Sequence, residues 1–444
     1  MKTPILDFLR GYAAADTLRL HMPGHKGEGA LGVEPLDITE IAGADSLYEA
    51  DGIIRESEEN ASYLFGARTY YTTEGSSHAI RAMLQLATQG ARREGQKPVV
   101  LAGRNAHRAF LSAVALLDIE VAWLAPEGAA SYLACPITPA ALAAALDGMA
   151  ESPAAVYLTS PDYLGNTVDI AALAAVCHAR GILLLVDNAH GAYLRFLETD
   201  AHPISLGADM CADSAHKTLA ALTGAAYLHL APSVPYGAHE VKAALALFGS
   251  TSPSYLTLAS LDALNATLAG KYPVKLRAFL SRLAALRAAL TTHGYTLTGD
   301  EPMKLTLLTK PYGYTGGDLA ALLRERGVEC EFADPDHLVL MPTPALGEEG
   351  LARLGDVLRS LPRRTPVTGA PPAFSLPKKV LSVRQATLAP AEWVAAEESE
   401  GRILAAATVA CPPAVPILMP GERITRETIA AFAYYGIEKC PVVK

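Results

Sequence analysis

Two short segments carry a carboxylate, an imidazole, a hydroxyl and an amine in an order that suggests chemistry. The apolar run Leu184-Leu185-Val186 closes on Asp187 and continues Asn188-Ala189-His190. Further on the chain reads Asp213-Ser214-Ala215-His216-Lys217, with the lysine thirty residues after Asp187. A short apolar run ending in an acid reads as a buried strand, and in an open α/β sheet ligands collect at the carboxyl ends of strands. A lysine amine condenses with an aldehyde best when its surroundings lower its pKa and expose the free base. A buried carboxylate facing a heteroaromatic ring nitrogen keeps that nitrogen protonated, so the ring withdraws electrons. Lys217 and Asp187 suit these two tasks. Ser214 is placed to hydrogen-bond a phosphate, and His190 and His216 to lie beside the ring or a substrate carboxylate.

The cofactor that calls for this set is pyridoxal 5'-phosphate. Each segment alone has an ordinary structural meaning, since many strands end in Asp and Ser-x-His-Lys arises by chance; their order and separation together favour the cofactor. Upstream, Thr73-Glu74-Gly75-Ser76-Ser77 enters a helix, where glycine lets the backbone approach a ligand and free N–H groups suit a phosphate. A serine helix cap is the commoner meaning of such a sequence, and with Lys217 downstream the phosphate is preferred. Six cysteines, at positions 135, 177, 211, 330, 411 and 440, lack the close pairs of zinc sites or redox dithiols. No metal is expected, and the thiols are expected to be reduced core residues of a cytoplasmic protein.

The elements that must position these groups follow from patterning. Apolar runs at Val99–Ala102, Val121–Leu124, Ala155–Leu158, Leu183–Asp187 and Ala225–His229 alternate with helical stretches at Ser77–Thr88, Pro139–Met149 and Ile170–Arg180. That alternation predicts an α/β fold with a mainly parallel sheet covered on both faces. A long amphipathic helix, Val274–Thr292, leads into a smaller α/β unit. Its strands are expected near Lys304–Thr309, Glu329–Phe332 and His337–Met341, and its helices near Gly317–Arg326 and Glu348–Ser360. A chain of 444 residues suits two domains and an arm. The expected division is an amino-terminal arm over 1–60, a large cofactor-binding domain over 61–273 and a small carboxyl-terminal domain over 274–444, with a Pro-rich linker at 365–374. The arm, rich in Gly, His and Asp with little periodicity, is expected to lie across another surface, such as a partner subunit's.

Half the residues are hydrophobic, yet no apolar run reaches the roughly 18 residues of a membrane span. The start of the chain has an acid within its apolar stretch and no small-residue cleavage signal, so export is not expected. The formal charge of −9 and dispersed basic residues argue against a nucleic-acid surface. An acidic enzyme can steer cationic substrates, although net charge is weak evidence.

The chain resembles the Orn/Lys/Arg decarboxylase family of fold-type I pyridoxal-phosphate enzymes, in the short form without an amino-terminal wing domain. The likeness runs through His21-Met-Pro-Gly-His-Lys-Gly27, Gly43-Ala-Asp45-Ser-Leu-Tyr48, Phe65-Gly-Ala67, Gly75-Ser76-Ser77, Arg104-Asn-Ala-His107, Ser214-Ala-His-Lys217, Ser252-Pro-Ser-Tyr255 and Pro416-Ile-Leu-Met-Pro-Gly-Glu422. The resemblance implies an aspartate aminotransferase-like large domain with a mainly parallel seven-stranded sheet, and decarboxylation of an amino acid, most readily lysine, arginine or ornithine, to its amine. It implies that His107 stacks on the cofactor ring and that Ser252 reaches the phosphate held by a neighbouring subunit, so that a homodimer shares its sites. A basic substrate also needs an acid at the far end of its pocket; Glu422 is a candidate, and a turn residue capping the next helix is the equal alternative.

Departures from the family pattern bear on the substrate. Asn188 stands where glutamate is usual, Tyr193 replaces a second histidine, Ala109 a serine and Gly224 a glutamine, while Cys411-Pro-Pro-Ala414-Val-Pro replaces Tyr-Pro-Pro-Gly-Ile-Pro. The frame is kept while the lining has drifted. Transamination and elimination use the same lysine and aspartate, so an aminotransferase, a lyase or a non-catalytic paralogue stand as alternatives.

Overall fold

The computed structural model describes residues 1–126, 128, 131–372, 376–408 and 413–444. Strands β1 (Arg68–Thr72), β2 (Val99–Gly103), β3 (Glu120–Leu124), β4 (Ala155–Thr159), β5 (Leu183–Asp187), β6 (Met210–Asp213) and β7 (Ala226–Leu230) form one seven-stranded sheet in the order β1-β7-β6-β5-β4-β2-β3. The pairs β5–β6, β2–β3 and β2–β4 are parallel, whereas β7 runs antiparallel to both β6 and β1. The architecture is the expected α/β sheet. In β5 the apolar residues Leu184, Leu185 and Val186 are fully buried, as near-continuous hydrophobic strands of a two-sided sheet must be.

The chain divides into two compact units, one of residues 1–93 and 170–276, the other of 94–169 and 277–444. In the first, the helices Pro4–Ala14 and Ile53–Phe65 pack on the helix Tyr255–Ala269. Neither of the two leading helices is signalled by long-range periodicity. Pro4 fits the first turn, where its missing N–H costs nothing, and only the i,i+4 pair Ile5 and Leu9 is buried. Phe65 closes the second of these helices and packs against Phe196, Tyr227, His202 and His229, with ring centroids 5.4, 5.2, 5.6 and 4.5 Å away. Such a ring contributes about 1.5–3 kcal/mol through burial. β1 and β6 escape a pattern search because one is an edge strand rich in Thr and Tyr and the other has only four residues.

The second unit holds β2, β3 and β4 and a four-stranded antiparallel sheet, in which β8 (Thr296–Thr298), β9 (Leu305–Leu308), β10 (Phe332–Ala333) and β11 (His337–Leu340) take the order β10-β11-β9-β8. The strand expected over Glu329–Phe332 is shorter and begins later, at Phe332. β12 (Ala391–Ala395) pairs with β13 (Lys439–Val443), and beside them Leu404, Leu418, Phe432 and Val442 form a dry core. The long helix spans Tyr272–His293 and the next two helices Gly316–Glu325 and Gly347–Ser360. Cys411, and Ala373 and Phe374 of the Pro-rich linker, lie outside the described residues. Among the described residues no helix is long and apolar enough to cross a membrane, and cysteines 135, 177, 211, 330 and 440 are free thiols.

Candidate active site

Asp187 is the last residue of β5, 2% exposed, and its Oδ1 accepts the Ala189 N–H at 3.2 Å. β6 lies parallel alongside, with Asp187 in register with Ala212. Beyond β6 the chain passes through Ser214 into a single helical turn, Ala215–Thr218, that carries Lys217. The Lys217 Nζ lies 3.0 Å from Nε2 of the buried His190. The ends of two neighbouring strands are thus joined through the two groups best able to exchange a proton. His216 turns elsewhere: its Nδ1 donates to the carbonyl of Ala225 at 2.9 Å, which leaves Nε2 as the basic atom of the neutral ring.

A second cluster forms at the helix Ser76–Ala87. Gly75 precedes it with φ +74°, and its N–H donates to the carbonyl of Gly224 at 2.8 Å. Gly224 has φ +93°, and a Cβ there would stand 2.5 Å from the Thr73 carbonyl oxygen. Only glycine fits. Gly224 thus lets the chain hold the Gly75 N–H through its carbonyl. The hydroxyl of Ser214, 1% exposed, donates to Oγ of Ser76 at 2.8 Å. Ser77 follows in the first turn, half-buried. The leading N–H groups of a helix have no intrahelical partner and carry the positive end of its dipole.

These residues fit pyridoxal phosphate. An amine and a buried carboxylate stand at adjoining strand ends, and a helix N-terminus flanked by hydroxyls suits the phosphate. The ground above Gly75 is open, for a Cβ built there would meet nothing nearer than the Ser77 nitrogen at 4.0 Å.

In the second unit His107 is the N-cap of the helix Arg108–Leu117, its Nδ1 accepting the Ala109 N–H at 3.0 Å. That bond fixes the ring and assigns the proton of the neutral form to Nε2. Glu422 has its partners within the protein. Its Oε1 and Oε2 each accept a guanidinium N–H of Arg104 at 2.5 Å, and Oε2 also accepts the Met419 N–H at 2.9 Å. A carboxylate already neutralised by a buried arginine is a poor receptor for a substrate cation, and the cap of the next helix, Arg426–Tyr434, is Thr425. Ala414 has φ +54°, so the alanine replacing the family's glycine keeps a left-handed backbone that glycine adopts without strain.

Ser252 is exposed, its N–H bound to Oγ of Ser250 at 3.1 Å. Ser254 caps the helix Tyr255–Ala269. The Gly43–Tyr48 motif is a clasp: Asp45 accepts backbone N–H groups of Ser46, Asp51, Gly52 and Ile54 at 2.8 to 3.0 Å. Burial pushes the Asp45 carboxyl up, and these four donors more than reverse it, holding it below its ordinary value. The motif reading gave no role to Asp213 and did not single out His202 or His229, which form a buried cluster with it; a second acid directly before Ser214 was the available signal.

Comparison with known proteins matches the model "Orn/Lys/Arg decarboxylase, major domain" to residues 3–298 and "Orn/Lys/Arg decarboxylase, C-terminal domain" to residues 375–439. The chain belongs to the Orn/Lys/Arg decarboxylase family. It is 31% identical to the uncharacterized protein YaaO of Bacillus subtilis, with 97% of this chain and 93% of that protein aligned. It is 29% identical to an arginine decarboxylase of Halalkalibacterium halodurans over 97% and 92% of the two chains. The constitutive lysine decarboxylase of E. coli superposes with a TM-score of 0.79 at 19% identity, covering 100% of this chain and 82% of that one. The decarboxylase therefore has the fold-type I architecture, and its reaction is the removal of an amino acid's carboxyl group.

Proposed function

We propose that this enzyme decarboxylates a basic amino acid, lysine, arginine or ornithine, with pyridoxal phosphate held by the residues around Lys217. The contact between Lys217 and His190 at 3.0 Å, beside the buried Asp187, carries the reading. Bound cofactor supplies an electron sink for the pair left behind when carbon dioxide departs. Lys217 would hold the cofactor at its amine, and in its protonated form that amine could deliver a proton to the substrate's α-carbon. His190, with Nε2 3.0 Å from that amine, could exchange a proton with it between turnovers. Asp187 would keep the ring nitrogen protonated, and Gly75, Ser76, Ser77 and Ser214 would bind the phosphate. His107 would cover the ring, and His216, with Nδ1 held by the Ala225 carbonyl, would have Nε2 to offer the substrate.

The same reading makes the enzyme a cytoplasmic homodimer in which Ser252 of one subunit reaches the neighbouring cofactor. It divides the chain into the arm over 1–60, the cofactor-binding domain over 61–273 and the small domain over 274–444. Family membership supports the substrate class, and the five free thiols accord with a reducing compartment. Two measurements test the proposal. Purified wild-type protein with added cofactor should develop a visible absorption band and release carbon dioxide and amine from one of the three substrates, identified by mass spectrometry. Lys217→Ala should lose the band and the turnover. A band that persists in Lys217→Ala, or a wild-type enzyme that yields keto acid instead of amine, refutes it.

A further inference from the structure

We propose that Asp213 is a positioning residue for the reaction: acting through Asn188, it fixes the carboxylate of Asp187 relative to the segment that carries Ser214 and Lys217. The proposal rests on the cofactor reading above.

Asp213 is the last residue of β6 and is completely buried. Four donors converge on its carboxylate. Oδ1 receives Nδ2–H of Asn188 at 2.8 Å and the Cys211 thiol at 3.4 Å. Oδ2 meets Nε2 of His202 at 3.0 Å and Nε2 of His229 at 3.2 Å, and both imidazoles are also fully buried. The Ile204 N–H points at Nδ1 of His202 at 3.3 Å, so the proton of that ring lies on Nε2 and is donated to Asp213. Nδ1 of His229 is held by Oγ1 of Thr69 at 2.9 Å. Burial would raise the carboxyl's pKa, but the two imidazoles hold it well below the usual carboxylate range. A carboxylate fastened in this way is a fixed anchor.

Asn188 transmits the anchor to the site. Its backbone N–H donates to the Ala212 carbonyl at 3.0 Å, and its own carbonyl accepts the Gly191 N–H at 2.8 Å. With the side chain held by Asp213, the residue is pinned at three points, and the peptide that follows it presents the Ala189 N–H to Oδ1 of Asp187. On the other side of the anchor, Ser214 follows Asp213 directly and Lys217 comes one turn later. The amide of Asn188 is used as a donor only, because its buried Oδ1 has no hydrogen-bond partner among the described residues. Leaving a buried acceptor unpaired is costly, which marks the donation to Asp213 as the reason for the side chain.

The test uses wild type, Asn188→Ala and Asp213→Asn, each measured for cofactor dissociation constant, for the pH midpoint of the bound cofactor's visible band, and for the melting temperature of cofactor-free protein. Removing one hydrogen bond to a charged acceptor in Asn188→Ala should weaken cofactor binding by about tenfold or more. It should also move the band midpoint by about half a pH unit or more, since that midpoint reports the charge held at Asp187. The cofactor-free protein should melt within about 3 °C of wild type. Asp213→Asn should show both cofactor effects and a larger melting loss, because it strands His202 and His229; if it fails to fold, Asn188→Ala decides alone. Wild-type affinity and midpoint in Asn188→Ala overturn the proposal, whatever its melting temperature. A wild-type protein that takes up no cofactor overturns the cofactor reading itself, and this proposal with it.

Discussion

Replacing Glu422 with glutamine separates a structural acid from a substrate-binding one. Arg104 and Glu422 form a bidentate pair at 2.5 Å with side chains only 7% and 4% exposed, and the guanidinium also lies 5.4 Å from the centroid of the Trp123 ring. Glu422→Gln leaves that guanidinium buried against a neutral amide, one end of which can only donate. Removing one charge from a buried pair costs about 3–5 kcal/mol. With an unfolding entropy of about 2.1 cal/mol/K per residue over 444 residues, that cost lowers the melting temperature by roughly 3–5 °C. The assay is thermal unfolding of wild type, Glu422→Gln and the double variant Arg104→Met with Glu422→Leu. The double variant should lose less than the single one, because no charge is left stranded in the interior. Steady-state kinetics on lysine, arginine and ornithine complete the comparison, with KM expected to change alike for all three. An unchanged melting temperature combined with a KM raised for one basic substrate alone would refute this reasoning and restore Glu422 as a substrate ligand.

Two further predictions concern stability. Ala414 pays for its left-handed φ of +54°, so Ala414→Gly should gain about 0.5–1 kcal/mol, the relief of backbone strain less the entropy of a freer unfolded chain. An unchanged or lower urea midpoint contradicts it. His78 is fully buried between Oγ1 of Thr72 at 2.8 Å and the Leu245 carbonyl at 2.7 Å, and burial lowers its pKa despite the opposing pull of that carbonyl. The unfolded imidazole takes up a proton near pH ~6.5 while the folded one resists it, so this stability is complete above that pH and is lost as the pH falls. His78→Gln should flatten the fall of unfolding free energy below pH ~6.5; a difference from wild type that stays constant with pH refutes it.

Much of the large sheet is legible from composition along the chain. The runs at Val99, Val121, Ala155, Leu183 and Ala225 are apolar enough to require burial on both faces, and helices of fitting length lie between most of them. What escaped were elements too short or too polar to show a period: β6, with four residues, and the edge strand β1. The helix Pro4–Ala14 escaped because a single buried i,i+4 pair is a faint signal. Residue types near Lys217 were legible because the chemistry demands an amine, an acid and a phosphate cradle. Partners were not, as Glu422 shows, since nothing local says which cation a carboxylate 318 residues from its arginine will meet.

The order of residues alone determined that this chain builds a mainly parallel α/β sheet and ends one of its strands on Asp187, because hydrophobic period and strand length are local properties. Tertiary structure decided which polar side chains face one another: His190 against Lys217, Ser214 against Ser76, Asn188 against Asp213, and Arg104 against Glu422. A buried polar group must find a partner wherever packing brings one within about 3 Å, and that encounter depends on how strands and loops distant in sequence come together.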